Sequence, residues 1–246
     1  MRIALLTAAL MLGTAVQPPA PRVPVVVELF TSEGCSSCPP ADTVLSGLMH
    51  DQPVPGAEII ALGMHVDYWD DQGWKDPASS HQATMRQQAY SRVFGADRVY
   101  TPQAVIDGRD ELVGSDNGGV KRAIARAAAR PHAHVGLTTS VDGATLVATV
   151  SVAGLPTAAN ESLDAVVAIL EDGVTSAVQR GENRGRTLHH DAVVRAVQAT
   201  GLSGDHAARV VIQLPPGGRP SALRAVAFVQ GRKSARIWGA AFAPIQ

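Results

Sequence analysis

Hydrophobic and polar positions divide the chain into two parts with different periodicities. From Val23 to about Arg130, short apolar runs alternate with stretches of helical spacing. The continuous apolar runs Val23–Phe30 and Glu58–Val66 are typical of strands that are buried on both faces, as in parallel sheets. The pattern over this part of the chain predicts secondary-structure elements in the order βαβα followed by ββα. Its other elements are a helix from Pro39, a helix over Ser79–Phe94, a hairpin of Gln103–Asp107 with Glu111–Val113, and a helix capped by Asp116.

The part of the chain from about His134 onwards is predicted to be almost entirely β-structure. Val135–Val141 and Thr145–Val152 form a hairpin pattern around Asp142-Gly143, a dipeptide that favours the tight hairpin turn. Further strands are predicted at Asp164–Glu171, Leu188–Ala199, Ala207–Leu214, Ala222–Gln230 and Ser234–Phe242, with a short helix as the alternative for Val193–Ala199. Short strands between Gly, Pro and Asp turns favour an antiparallel sandwich. Pro131 marks the boundary between a domain over residues 21–131 and a β-rich domain over residues 132–246.

The first 20 residues are predicted to be a signal peptide and leader. Arg2 is followed by an almost wholly apolar run from Ile3 to Val16, in which Gly13-Thr14-Ala15 offers small residues for cleavage. The run is shorter than the about 20 residues that a membrane-spanning helix needs. An uncleaved N-terminal anchor is the alternative. We therefore expect an exported protein, periplasmic or secreted, with no membrane span in the mature chain.

Composition narrows the possible functions. Of the 246 residues, 46% are hydrophobic, which excludes a disordered chain. The net charge of -1 supplies no strong field, so a nucleic acid is not an expected partner. No hydrolase triad or phosphate-binding loop is visible, and no cofactor is predicted. The two cysteines are too few for a disulfide-stapled scaffold, and both lie in the tetrad Cys35-Ser36-Ser37-Cys38.

This tetrad is the strongest chemical signal in the sequence. It follows a buried strand and opens a helix, whose unpaired N–H groups and dipole stabilise a thiolate. A bridge across four residues stabilises a fold by only about 2 kcal/mol in the chain-entropy model. We therefore predict a redox-active dithiol, with a metal site and an inert bridge as alternatives. Cys35, in the turn, is expected to be exposed and to attack, and Cys38, packed at the helix start, to resolve the mixed disulfide.

A polar and aromatic segment, His65–Asp76, follows the second predicted strand. The carboxyl ends of neighbouring parallel strands meet at one edge of a sheet, so His65, Asp67 and Trp69 are expected beside the cysteines. His65 is a candidate base or metal ligand, Asp67 a candidate proton acceptor, and Trp69 an apolar platform for substrate. Alternatively, His65 and Asp67 anchor the long loop by hydrogen bonds, and Trp69 and Trp74 fill its core.

Two features of the second part are interpreted as structural. The histidines of His132-Ala133-His134 and His189-His190 have no third ligand in evident reach and are interpreted as surface residues. The segment Gly181–Gly185 is interpreted as a turn, because no strand-to-helix context with a lysine follows it.

The order of elements, with C-x-x-C after the first strand, resembles the thioredoxin fold. The resemblance extends to Tyr100-Thr101-Pro102, just ahead of the predicted hairpin. In thioredoxin-like proteins a Thr-Pro at this place has a cis peptide that faces the dithiol. The resemblance therefore implies a cis-proline at Pro102 and backbone contacts from Thr101 to an extended substrate, with an ordinary strand-entry proline as the alternative. Thioredoxin has Gly-Pro between its cysteines, whereas this chain has Ser-Ser. The redox potential of thioredoxin therefore cannot be assigned to this dithiol.

Longer motifs resemble an exported bacterial family, domain of unknown function 1223, which has a thioredoxin-like domain followed by a β-rich domain. The motifs are Val27–Asp42 (VELFTSEGCSSCPPAD), His65–Asp76 (HVDYWDDQGWKD), Val99–Gly108 (VYTPQAVIDG) and Gly181–Arg195 (GENRGRTLHHDAVVR). This resemblance implies the fold and export but supplies no established reaction.

Together these observations predict an α/β thioredoxin-like domain followed by an antiparallel β-sandwich-like domain. The favoured function is thiol–disulfide exchange with a disulfide-bearing protein or a small thiol, through Cys35 and Cys38. One alternative is a copper-binding or copper-delivery protein that uses the same cysteines and His65, because thiolates favour Cu(I). Another is a non-catalytic adaptor whose β-rich domain binds a partner while the disulfide only braces a turn.

Overall fold

The computed structural model describes residues 21–217 and 220–245, so the predicted signal peptide and leader at residues 1–20 lie outside the described part. The first half of this part contains four strands and three helices, in the predicted order. They are β1 (Val23–Thr31), α1 (Pro39–Asp51), β2 (Ala57–His65), α2 (His81–Phe94), β3 (Gln103–Ile106), β4 (Asp110–Val113) and α3 (Asn117–Ala128). No helix among the described residues is long and apolar enough to cross a membrane.

The second half of the described part consists of strands and one short 3₁₀ turn. The strands are β5 (His134–Asp142), β6 (Thr145–Ala153), β7 (Leu163–Glu171), β8 (Val174–Ala177), β9 (Thr187–His190), β10 (Val193–Gly201), β11 (Ala207–Gln213), β12 (Leu223–Gly231) and β13 (Ile237–Pro244).

Three details of this half differ from the prediction. The single strand predicted over Leu188–Ala199 is broken into β9 and β10, because Ala192 has a positive φ of 54° that redirects the chain. The alternative of a helix over Val193–Ala199 is wrong, since these residues belong to β10. β8 was not predicted because its four residues alternate between exposed and half-buried positions and form no apolar run.

One mixed sheet of eight strands runs through both halves, in the order β13-β12-β7-β10-β2-β1-β3-β4. β2 is parallel to β1 on one side and to β10 on the other, and the remaining neighbours are antiparallel. The link to β10 is short: Val193 pairs with Gly63, and the N–H of Gly63 donates to the carbonyl oxygen of Ala192 at 2.7 Å. The segment predicted as the domain boundary therefore lies between α3 and β5 of a fold whose main sheet is continuous.

A separate antiparallel sheet of three strands, β11-β6-β5, packs on one face of the large sheet. Because side chains alternate along a strand, β7 contributes to two cores. Val166 and Ala168 join the core that contains residues of α1, α2 and α3. Ala165 and Val167 pack with residues of the three-stranded sheet.

The fold is thus a mixed α/β structure with helices on both faces of the main sheet. α1 and α3 pack on the face of β1 that carries Val27 and Leu29, and α2 packs on the opposite face, where Phe30 contacts Tyr90. The three-stranded sheet packs against β7 and β12.

The carboxyl ends of β1 and β2 bring the candidate site together. Thr31 at the end of β1 pairs with His65 at the end of β2, and the N–H of Val66 donates to the carbonyl oxygen of Thr31 at 2.9 Å. The loop with the cysteines leaves from β1, and the polar and aromatic segment leaves from β2. Both predicted chemical segments therefore start from the same edge of the sheet.

Candidate functional site

The two cysteines lie in the loop between β1 and α1 and form a disulfide with Cα atoms 5.4 Å apart. α1 starts at Pro39, directly after Cys38, since proline fits the first helical turn, where N–H groups have no intrahelical partner. The predicted exposure of Cys35 is not found: Cys35 is 1% exposed and Cys38 0%. Sγ of Cys35 lies 3.3 Å from the hydroxyl of the exposed residue Ser37.

A turn from the second half of the chain covers the disulfide loop. This turn, residues 181–185, lies between β8 and β9. The side-chain amide of the buried Asn183 donates hydrogen bonds to the carbonyl oxygens of Glu33 at 2.8 Å and of Cys35 at 2.9 Å. Beside it, the carboxylate of Glu182 accepts a hydrogen bond from the N–H of Ser36 at 2.8 Å. The sequence predicts the turn but not its contact with the cysteine loop.

Trp69 connects the disulfide loop to the segment before β3. Its ring N–H donates to the hydroxyl of Thr101 at 2.9 Å. Its Cβ packs so closely on the loop that a Cβ placed on Gly34 would lie 3.2 Å from it. The Thr101–Pro102 peptide bond is cis, in agreement with the resemblance to thioredoxin-like proteins, and Pro102 is buried. Trp69 and Thr101 therefore form one side of the region around the disulfide.

Asp67 binds the start of α2. Its carboxylate accepts a hydrogen bond from the hydroxyl of Thr84 and lies 3.1 Å from Nδ1 of His81. Partial burial opposes ionisation, but these two hydrogen bonds lower the pKa of Asp67 below its usual value. These contacts correspond to the alternative in which Asp67 anchors the long loop.

His65 and Asp76 form a buried ion pair beside the disulfide loop. Nδ1 of His65 lies 2.7 Å from Oδ2 of Asp76, and the same oxygen accepts the N–H of Glu33 at 2.9 Å. Burial opposes the charge on both side chains. Their mutual attraction nevertheless raises the pKa of His65 and, with the hydrogen bonds, lowers the pKa of Asp76 to about 2. His65 therefore supports the loop from inside the protein and does not line an open cleft.

His190, at the end of β9, adjoins this ion pair. It is 3% exposed, and its ring meets that of His65 edge to face, with centroids 4.8 Å apart. Nε2 of His190 lies 3.4 Å from Oε1 of Glu33, and Nδ1 lies 3.7 Å from Oδ2 of Asp42. Neither ring nitrogen has a hydrogen-bond partner among the described residues. The interpretation of His190 as a surface histidine is wrong.

Glu33 is the buried carboxylate on the Nε2 side of His190. Its Oε2 accepts hydrogen bonds from the ring N–H of Trp74 at 2.7 Å and from the hydroxyl of Ser176 at 2.9 Å. Trp74 therefore holds a buried carboxyl group in place by a hydrogen bond, which is a more specific role than the predicted filling of the loop core. The other oxygen of Glu33, Oε1, is the one nearest to His190.

Asp42 is the carboxyl group on the Nδ1 side of His190 and belongs to α1. Its N–H donates to the carbonyl oxygen of Cys38 at 3.1 Å, so it lies one helical turn after that cysteine. Oδ1 accepts the hydroxyl of Thr31 at 2.8 Å, and Oδ2 is the oxygen nearest to His190. Burial raises the pKa of Asp42, although the nearby imidazole of His190 opposes this.

The other histidines of interest lie elsewhere. His132, interpreted from the sequence as a surface residue, is only 9% exposed at its side chain, and its Nε2 lies 3.1 Å from Oδ2 of Asp107. His134 and His189 are exposed, as predicted. Within residues 21–217 and 220–245, no group of three His, Cys, Asp or Glu side chains is arranged to hold a metal ion.

Sequence reasoning missed Asn183, the burial of His190 and the carboxyl groups of Glu33, Asp42 and Asp76, although a signal existed for the histidine. Side chains two residues apart in a strand lie on the same face, so the apolar Leu188 indicates that His190 also points inward. Asn183 and His190 both lie within the motif Gly181–Arg195, which resembles a family motif in the sequence alone.

The assembled site contains a disulfide, two buried imidazoles and three buried carboxyl groups at the carboxyl ends of β1 and β2. A disulfide reacts with a thiolate, which breaks the S–S bond and releases one sulfur as a thiolate. Imidazole and carboxyl groups can hold or release the proton that such a sulfur exchanges.

Comparison with known proteins identifies the family. No curated protein matches the chain. A protein of Agrobacterium tumefaciens with a crystal structure is 30% identical, with a TM-score of 0.65 over 90% of this chain and 94% of that chain. HBP35 of Porphyromonas gingivalis is 14% identical, with a TM-score of 0.67 over 93% of this chain and 77% of that chain, a likeness of fold alone. Residues 26–230 match the family described as "Protein of unknown function (DUF1223)", and the chain therefore belongs to this family.

Proposed function

We propose that this protein is an exported thiol–disulfide oxidoreductase that exchanges disulfides with a protein or a small thiol through Cys35 and Cys38. The observation that carries the proposal is the position of the Cys35–Cys38 disulfide, between the end of β1 and the first turn of α1. A helix start stabilises a thiolate, so a cysteine there becomes a better attacking or leaving group.

The order of the elements supports this proposal. β1, α1, β2, α2, β3, β4 and α3 follow one another as in the thioredoxin fold, with the cysteines after the first strand and Thr101-Pro102 before β3. We therefore propose that this part of the chain is a thioredoxin-like unit. In this proposal Trp69, Thr101 and Pro102 form the surface on which the substrate lies.

We assign the attack on substrate to Cys35 and the resolving step to Cys38. The support is the contact of Cys35 Sγ with the exposed Ser37, whereas Cys38 lies at the start of α1. Because both cysteines are buried, the turn that carries Asn183 must move before a substrate reaches the sulfur.

A trapping experiment on the full chain tests this function. Reduced Cys38→Ala, mixed with glutathione disulfide, should form a stable mixed disulfide on Cys35 that intact-mass spectrometry detects. Cys35→Ala should form none, and the reduced wild type should return to its internal disulfide. Equal adducts on both variants would contradict the assignment of Cys35. Absence of any adduct, together with a wild type that is not re-oxidised, would contradict the function itself.

A further inference from the structure

His190 occupies an unusual position for a buried imidazole. A buried polar group normally has a hydrogen-bond partner, because an unsatisfied one costs about 1–3 kcal/mol. His190 has none at either nitrogen among the described residues, yet a carboxyl oxygen lies 3.4 Å from Nε2 and another lies 3.7 Å from Nδ1. Small movements would let it bind a proton shared with either carboxyl group. Packing alone gives no reason for an imidazole here.

Opening of the disulfide creates a need for a proton in the same region. When the disulfide of this protein is reduced, a substrate thiolate attacks Sγ of Cys35, and the electrons of the S–S bond leave with Sγ of Cys38. A thiolate at this completely buried sulfur is costly unless a proton reaches it. A second substrate thiolate then attacks the substrate sulfur of the mixed disulfide. The substrate is released as a disulfide, and Cys35 takes its own proton from solvent.

We infer that His190 and Asp42 form a buried proton site, which delivers a proton to Cys38 when the disulfide opens and takes it back when the disulfide closes. This inference rests on the proposed function. Asp42 connects the two by its position: its N–H donates to the carbonyl oxygen of Cys38, so it lies one helical turn after that cysteine, and residues four apart present their side chains on the same side of a helix. His190 acts through Asp42 and is therefore a positioning residue for the reaction.

The other charged groups that face His190 are already engaged. Glu33 receives two hydrogen bonds at Oε2, from Trp74 and Ser176, which hold its side chain in place beside His190. His65 packs edge to face on His190, but its Nδ1 is paired with Asp76. Among the described carboxyl groups that face His190, Asp42 is the one that lies one helical turn from Cys38.

The test measures how fast dithiothreitol opens the disulfide of the full chain between pH 5.5 and 8.5, with each rate divided by the thiolate concentration. If the buried site supplies the proton, this normalised rate should fall in the wild type as pH rises. His190→Gln cannot hold the proton and should be about tenfold slower at pH 6, with a flat profile, and should equal the wild type at pH 8.5. Asp42→Asn should behave in the same way. His189→Gln, at the exposed neighbour in β9, is the matched control and should follow the wild type.

The agreement at pH 8.5 serves as a check that the variants are folded. A His190→Gln profile that parallels the wild type over the whole pH range would overturn the inference and leave the proposed function standing. A wild type whose disulfide no thiol opens in the folded state would overturn both. Rates that are lower by the same factor at every pH would assign His190 a purely structural role and would also overturn the inference.

Discussion

Asn183→Ala should make the disulfide of this protein easier to reach. The side-chain amide of Asn183 is buried and donates to the carbonyl oxygens of Glu33 and Cys35 at 2.8 and 2.9 Å. These bonds join the turn at residues 181–185 to the cysteine loop, across about 150 residues of sequence. Alanine removes both donors, whereas the hydrogen bond from the N–H of Ser36 to Glu182 remains.

The size of the effect follows from the two hydrogen bonds. Each contributes about 0.5–1.5 kcal/mol net, so the closed arrangement should lose about 1–3 kcal/mol. Since every 1.4 kcal/mol is about tenfold in population, the open form of the turn should become roughly 5- to 150-fold more frequent. If only the open form reacts, the rate of disulfide opening should increase by the same factor.

The assay is the initial rate at which dithiothreitol opens the disulfide at pH 8, measured for the wild type and for Asn183→Ala. The control is Asn160→Ala, which replaces an exposed asparagine and should leave the rate unchanged. Urea unfolding of the same samples reports the loss in stability. A variant that loses stability as calculated but reacts at the wild-type rate would refute the reasoning, because the turn would then not control access to the sulfur.

Two further predictions concern buried charges. Arg86→Met leaves the fully buried carboxylate of Glu28 without its ion-pair partner. It should lower the free energy of unfolding, measured by urea titration, by about 3–5 kcal/mol. The control Arg92→Met, at an exposed position, should change the free energy of unfolding little. The fall in the pKa of Asp76 from 3.8 to about 2 corresponds to about 2 kcal/mol of stability, which is present above pH 4 and lost as pH falls towards 2. The raised pKa of His65 adds stability that is present below pH 6.5 and lost at higher pH. Urea midpoints of the wild type should therefore be highest between pH 4 and 6.5, and Asp76→Asn should flatten this pH dependence. A wild type whose urea midpoint does not change with pH would contradict the ion pair.

Much of the fold could be predicted because the signals are local. The apolar run of β1 and the prolines that open α1 are read from a few neighbouring residues, and they correspond to Val23–Thr31 and Pro39–Asp51 in the structure. The break between β9 and β10 could not be predicted, because it depends on one alanine with a positive φ at the point where the chain joins β2. The continuity of the main sheet through both halves depends on the same join.

The site was predictable only where chain neighbours define it. Cys35 and Cys38 were found because four consecutive residues carry the signal. The exposure of Cys35 was predicted wrongly because its cover, Asn183, comes from 148 residues further along the chain. No local pattern encodes that contact, and an asparagine in a glycine-flanked turn has many other uses.

The join between β2 and β10 has a consequence for how such proteins can change during evolution. Gly63 and Val193 pair where two parallel strands from distant parts of the chain meet, and a Cβ on Gly63 would lie 3.4 Å from the carbonyl oxygens of Asp191 and Ala192. Without the later strands, β2 would be an edge strand with apolar side chains on both faces, a form that pairs readily with other chains. The two halves are therefore not interchangeable modules: recombination that replaced the second half would have to supply a strand that fits against Gly63.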